Sequence, residues 1–346
     1  MNKVRLGLIG AGFMGGLHAR TAHESHLAEI VAISDIVVDK AESLVTQYGG
    51  RQYADYREML ERETLDAVVV TTPETDHCLP VVLAANKGCH VFVEKPISVN
   101  LGESDAMITA CELARVKLMV GFILRFEPAY VKMKEAVSSG MVGALMSVSG
   151  RRNASISEAR RLGGRCSVIS YLSVHDIDQI LWLNERHQVR RVTAKAIRGR
   201  VFEELGVPDY SWIWLEFTNG SLGVVESGWG LTEKWSGWRE PEAWNGFGNV
   251  QMHVIGNDGI MDLNLQPMNL YSVDSKEGWK FPDTRHWPIT NGRISGAERA
   301  QMLHFLECVL FNLTPIVDGK SSRRVVEICV AAEESIVRKC EVDLLA

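Results

Sequence analysis

The stretch Val4-Arg5-Leu6-Gly7-Leu8-Ile9-Gly10-Ala11-Gly12-Phe13-Met14-Gly15 decides the fold of the amino-terminal third. An apolar run suited to a buried strand leads directly into glycines at 10, 12 and 15, and a helical pattern follows. Gly10 permits a tight turn, Gly12 lets backbone amides approach a pyrophosphate, and Gly15 allows close helix–strand packing. The start of that helix offers the same anion its unpaired N–H groups and positive dipole end. Phe13 and Met14 complete the loop as expected cofactor neighbours. A glycine-rich turn alone is weak evidence, because such turns are common. Here Asp35 ends the next strand 20 residues after Gly15, where an acid accepts hydrogen bonds from the ribose diol of a dinucleotide. Asp35 would repel a 2′-phosphate, and Ile36 stands where NADP recognition favours Arg or Lys. NAD is therefore expected over NADP.

Outward from this turn, compact apolar runs at 4–9, 30–34, 66–71, 90–94 and 117–121 alternate with helical patterns at 17–26, 41–48, 79–87 and 101–114. The alternation predicts an α/β domain built on a doubly wound parallel sheet. Ligands bind such sheets beyond the carboxyl ends of the strands, and two ends carry distinctive chemistry. One is Thr71-Thr72-Pro73 with His77; the other is Glu94-Lys95-Pro96. After Gly121 the rhythm changes, which places a boundary near 122–125. Runs at 146–153, 192–197, 211–217, 221–229, 249–256, 260–265 and 269–273 read as strands, with Asn-Gly and Asp-Gly hairpin signals at 218–221 and 256–259. They predict an α+β domain with a large, mostly antiparallel open sheet. On one of these strands Trp212 and Trp214 alternate with Ile213, Leu215 and Phe217, so both faces read as apolar and need cover. Helices at 296–312 and 322–339 are expected to pack on that sheet or on the first domain.

Composition narrows the function classes. A chain of 346 residues suits about two domains, 1–122 and 123–346. With 46% hydrophobic and 23% charged residues, disordered and fibrous classes drop out. No apolar run approaches the roughly 18 residues of a membrane helix. Glycines break the run behind Lys3 and Arg5, which reads as strand and turn rather than a signal peptide. Seven cysteines with no Cys-x-x-Cys spacing point to reduced thiols and a cytoplasmic protein. A net charge of −6 argues against nucleic acid as a partner. His18, His23 and His26 are spaced five and three apart, which does not gather three ligands on one helix face, so no metal is expected.

Taken together, Val4–Gly16 with His18, Thr71-Thr72-Pro73 with His77, Glu94-Lys95-Pro96, Gly121-Phe122-Ile123-Leu124-Arg125-Phe126 and His175-Asp176-Ile177-Asp178 resemble the Gfo/Idh/MocA family of NAD(P)-dependent sugar and polyol oxidoreductases. The motifs span about half the chain in the family's order. The resemblance implies a Rossmann domain, a substrate domain that also makes a homodimer or homotetramer through its sheet, and a cis Lys95–Pro96 bond. It implies Lys95 at the reacting oxygen and His175 as proton acceptor beside the nicotinamide. Glu94 would anchor its loop or meet the nicotinamide ribose, and Arg125 would meet substrate. The family pattern has an Asp four residues before the His; Tyr171 stands there instead, as polariser or second proton carrier.

Helical spacing lets Tyr171, His175 and Asp178 share one face, which makes all three candidate substrate contacts. Residues 151–200 hold 11 Lys or Arg against four Asp or Glu, a net of +7. Arg152, Arg160, Arg161 and Arg165 lead into the Tyr171–His175 helix, either gripping an anionic substrate or forming a solvated or subunit-contact patch. Trp229, Trp235, Trp238, Trp244 and Phe247 suit sugar stacking, an interface or a core lid. Three functions remain open: NAD-dependent oxidation of a secondary hydroxyl on a sugar or polyol, a glycosidase working through transient oxidation on held NAD, and a cofactor-binding regulator.

Overall fold

The run Val4–Ile9 becomes β1, at the centre of a six-stranded parallel sheet. The chain continues through α1 (Phe13–Ser25), β2 (Ala28–Ser34), α2 (Val38–Tyr48), β3 (Arg51–Tyr53), α3 (Tyr56–Arg62), β4 (Ala67–Val70), α4 (Cys78–Asn86), β5 (His90–Val93), α5 (Leu101–Ala114) and β6 (Leu118–Val120). The strand order β3-β2-β1-β4-β5-β6 reverses direction between β1 and β4, and every pairing is parallel. That reversal opens a crevice at the carboxyl ends of β1 and β4, where a dinucleotide binds in such sheets. All four residues of β4 are fully buried, as expected of a strand covered on both faces.

In the computed structural model the described residues are 3–231, 249–265, 272–274, 278–280 and 284–345. Contacts divide the chain into two units, Met1–Phe126 with Arg285–Val326 and Glu127–Thr284 with Glu327–Ala346. The division is thus not a single cut near 122–125, because a later segment returns to the first unit.

The second unit contains α6 (Pro128–Ser138), β7 (Leu145–Ser155), α7 (Ile156–Leu162), a π-helical turn (Ile169–Ser173), α8 (Val174–Leu183), β8 (Val189–Ile197), α9 (Arg200–Leu205), β9 (Tyr210–Phe217), β10 (Leu222–Leu231), β11 (Asn249–Gly256) and β12 (Ile260–Asn264). Its sheet runs β12-β11-β7-β10-β9-β8 and ends on the short strand Val342–Asp343. Only β7 and β10 pair in parallel, so the sheet is mostly antiparallel, as the hairpin signals predicted. α8 lies on the inner face where two glycines admit it. A Cβ on Gly150 would stand 2.9 Å from Asp176 Cβ, and one on Gly223 would stand 2.8 Å from Ile180 Cγ2. Ile213, Leu215 and Phe217 are buried on that face. The outer face is not uniformly apolar, as alternation alone had suggested. Beside half-exposed Trp214 it carries Glu216 and an Arg151–Glu226 ion pair at 3.0 Å.

The returning segment supplies α10 (Gly296–Phe311), and α11 (Gly319–Arg338) runs on from it into the second unit. Met302, Phe305 and Leu306 of α10 join the core of the six-stranded sheet, with Phe305 against Phe92 at 5.6 Å between centroids. Each such side chain contributes roughly 1.5–3 kcal/mol through burial.

Candidate active site

The glycine loop has the geometry that its sequence implied. Gly10 holds φ +102°, and a Cβ there would stand 2.8 Å from the Thr71 backbone. A Cβ on Gly15 would fall 2.1 Å from the Gly10 carbonyl oxygen, so only glycine lets α1 start this close to β1. Nothing lies within 4 Å of the corresponding position on Gly12, which caps the helix. Blocked on the protein side and open above Gly12, the cradle fits a pyrophosphate at a helix N-terminus. Asp35 closes it, accepting from Ala11 N at 2.7 Å and from Val37 N at 2.8 Å. Its carboxylate therefore fixes the loop while retaining lone pairs for a ribose. Ile36 is 89% exposed and Phe13 40%, leaving apolar surface beside the loop, and Met14 is half-buried.

At the neighbouring strand ends, Thr71 donates through Oγ1 to the Gly10 carbonyl at 2.8 Å, and Thr72 donates to the Asp76 carbonyl at 3.0 Å. Pro73 begins the turn that leads to His77. That histidine, expected beside a cofactor, is buried and acts as a staple. Its Nδ1 meets the Pro96 carbonyl at 2.9 Å and its Nε2 the Thr72 carbonyl at 3.0 Å, tying together the loops after β4 and β5. The Lys95–Pro96 bond is cis, and Lys95 is half-buried.

Glu94 is held as an anchor. One oxygen accepts from Lys95 N at 3.1 Å, and the other lies 2.8 Å from His18 Nε2. A Cβ on Gly121 would come within 3.0 Å of this carboxylate, which accounts for the glycine there. His18 Nδ1 reaches Glu298 Oε1 at 2.8 Å, so one buried imidazole bridges two buried carboxylates. Burial opposes charge on His18, but Glu298 and Glu94 outweigh it and push its pKa up to about 10. Sequence reasoning missed Glu298, which comes from α10, far along the chain. Arg125 is buried and donates to the Ile316 carbonyl at 3.3 Å.

In the second unit the helix expected at 168–183 begins as a π-helical turn that contains Tyr171, and His175 follows in α8; both are half-buried. Asp178, read as sharing their face, is fully buried and accepts from Gln179 at 3.0 Å. Arg152, expected among the substrate ligands, is turned inward. Its Nε and Nη2 grip the two Asp176 oxygens at 2.8 and 3.1 Å, and Nη2 lies 3.4 Å from the Tyr130 hydroxyl. Asp176 is fully buried, so this bidentate pair fixes α8, and with it the neighbouring His175, to the sheet. Arg160 pairs with Glu204 at 2.9 Å and Arg161 with Glu158 at 2.9 Å, so much of the basic segment is neutralised locally. Of the aromatic stretch, Trp229 is buried; Trp235, Trp238, Trp244 and Phe247 lie outside the described residues. Among the described residues no group of three or more His, Cys, Asp or Glu could hold a metal ion, and no helix is long and apolar enough to cross a membrane.

Comparison with known proteins places this geometry in context. Residues 4–122 match an oxidoreductase family with an NAD-binding Rossmann fold, and residues 130–262 match the GFO/IDH/MocA C-terminal domain. Scyllo-inositol 2-dehydrogenase (NAD(+)) of Bacillus subtilis (strain 168) is 27% identical over 342 residues, 96% of this chain and 94% of that one. Myo-inositol 2-dehydrogenase of Thermotoga maritima is 32% identical over 232 residues, 65% of this chain and 68% of that one. The solved scyllo-inositol dehydrogenase of Lactobacillus casei, with bound NAD(H) and scyllo-inositol, shares the fold at a TM-score of 0.82 and 18% identity, covering 100% of both chains.

Proposed function

The chain belongs to the Gfo/Idh/MocA oxidoreductase family, and on that footing we propose that it oxidises a secondary hydroxyl of an inositol-like polyol or sugar. The observation that carries this reading is the open glycine cradle between β1 and α1, with Lys95 on the loop after β5 of the same sheet. NAD bound in the cradle supplies a hydride acceptor at the nicotinamide C4. Asp35 holds the adenosine ribose. The Lys95 ammonium holds the reacting oxygen and stabilises the negative charge that grows on it. In the second unit His175 is the group that takes the hydroxyl proton, at a ring nitrogen, with Tyr171 as the second proton carrier. A neutral cyclic polyol is favoured over an anionic sugar, because Arg152, Arg160 and Arg161 already meet Asp176, Glu204 and Glu158. The names of the inositol dehydrogenase relatives point the same way.

The test is a screen of inositols, aldoses, uronates and nucleotide-sugars with NAD and NADP in parallel. NADH formation is expected with an inositol, with NAD preferred. No reduced coenzyme from any polyol would overturn the reading, and aglycone release without NADH would mark a glycosidase instead. A second copy of the chain is proposed to cover the outer face of the larger sheet, where Trp214, Leu222 and Ile260 are exposed. Sedimentation should then report a dimer or tetramer; a monomer at micromolar concentration removes that part. The seven free cysteines suit a reducing cytoplasm.

A further inference from the structure

Arg161 does more than meet Glu158, and its position is specific. From α7 its Nη2 donates to the Tyr171 hydroxyl at 2.7 Å, and its Cζ stands 5.9 Å from the centre of that ring. Glu158, one turn earlier, holds the same guanidinium through Nε at 2.9 Å and Nη2 at 2.8 Å. Trp229, only 2% exposed, backs the tyrosine ring at 5.8 Å between centroids. The phenol is thus fixed in angle by a buried indole and held at its oxygen by a cation whose own orientation is set by a carboxylate.

The direction of this hydrogen bond follows from the groups themselves. A guanidinium has N–H donors, no acceptor, and a charge it does not lose. The Tyr171 oxygen must therefore accept, and its own proton must be given elsewhere than to Arg161. A permanent cation on that oxygen also favours phenolate over phenol. The elements packed on this turn bring few other charges among the described residues. They are Glu158 and Arg161 of α7, His175 and Asp178 of α8, Glu333 of α11, which accepts from Ser167 Oγ, and Arg152 of β7, whose charge Asp176 already meets; β10 brings the uncharged Trp229.

We infer that Arg161 is a positioning residue that turns Tyr171 into a proton-exchanging group of the active site. The inference deepens the dehydrogenase reading and rests on it for the substrate. The substrate hydroxyl gives its proton to His175, and the Tyr171 oxygen, as phenolate, takes that proton on from the imidazolium and later releases it to water, while NAD, when bound, would accept the hydride. Hydride and proton together account for both hydrogens lost.

The first test needs no turnover. Tyrosinate absorbance near 295 nm is read within seconds of an alkaline pH jump, and the component missing in Tyr171→Phe marks this residue. In Arg161→Met that component is expected about one pH unit or more higher, and Arg161→Lys should restore most of the difference. An unmoved component in Arg161→Met overturns the inference. With an inositol and NAD, Arg161→Met is expected to lower kcat on the order of tenfold with KM little changed, and to add nothing to Tyr171→Phe. Additive losses overturn it as well. If the unaltered protein forms no NADH with any polyol, the dehydrogenase reading fails, while the spectroscopic titration still decides the role of Arg161.

Discussion

Replacing Lys95 with Met is expected to lower kcat with an inositol substrate by about 10²–10³-fold while leaving NAD affinity within a few-fold. Methionine keeps most of the length and volume of the stem, so the substitution isolates the charge. The loop backbone should survive, because it is held by groups other than the lysine head: Glu94 accepts from Lys95 N, and His77 bridges the Thr72 and Pro96 carbonyls. On the proposed mechanism, what disappears is a cation at the oxygen on which negative charge develops. The measurement pairs steady-state kinetics with calorimetric titration of NAD. Turnover within tenfold of the unaltered protein would remove Lys95 from its assigned role. Loss of NAD binding would instead make it a structural part of the cradle.

The second large effect is expected at His18. Its ring is fully buried between Glu94 and Glu298, with Phe92 edge-on at 4.9 Å. His18→Leu leaves two buried carboxylates without their shared cation, and the cost of breaking such an assembly is about 3–5 kcal/mol. Removing Glu298 as well, in His18→Leu/Glu298→Leu, should recover part of that loss, since an apolar pair replaces a half-satisfied polar one. The same triad predicts a pH dependence whose sign is fixed by the shift. The folded-state pKa of about 10 lies above the ordinary histidine value of 6.5. The stabilisation is therefore complete below pH 6.5 and is lost as pH rises towards and through 10. Thermal melts across that window should show a falling midpoint. A flat midpoint over the same range, or a His18→Leu variant as stable as the parent, would contradict the buried ionic bridge.

How much was legible in the chain depended on how local each cause was. The glycine loop, Asp35 at the end of β2 and the Asn-Gly and Asp-Gly hairpins are written in a few adjacent residues, because backbone conformation and turn chemistry act over that distance. β3 escaped because Arg51-Gln52-Tyr53 carries no apolar run; as an edge strand it pairs only with β2 and leaves Arg51 and Gln52 exposed. α3 carries a readable local signal: Asp55 caps it by accepting from Arg57 N at 2.8 Å, with Glu58 three residues on. α6 likewise starts with Glu127 capping Ala129 N and Tyr130 N beside Pro128. The π-helical turn under Tyr171 had no such marker, since an apolar helical pattern does not distinguish i→i+4 from i→i+5 bonding.

The fate of the charged side chains lay beyond any local reading. Arg152 looked like a substrate ligand because it stands in a basic segment. It is core because Asp176, on a helix that Gly150 lets close to the sheet, meets it there. His18 and Glu94 are 76 residues apart, and Glu298 arrives only when α10 folds back on the first sheet. By itself the sequence determined the parallel α/β unit, its dinucleotide turn and the strand-rich second half, because these follow from periodicity and from where glycine alone can stand. Tertiary structure alone decided which ionisable groups face a ligand and which face each other. A buried charge takes its partner from whatever the fold brings within 3 Å, and separation along the chain does not encode that distance.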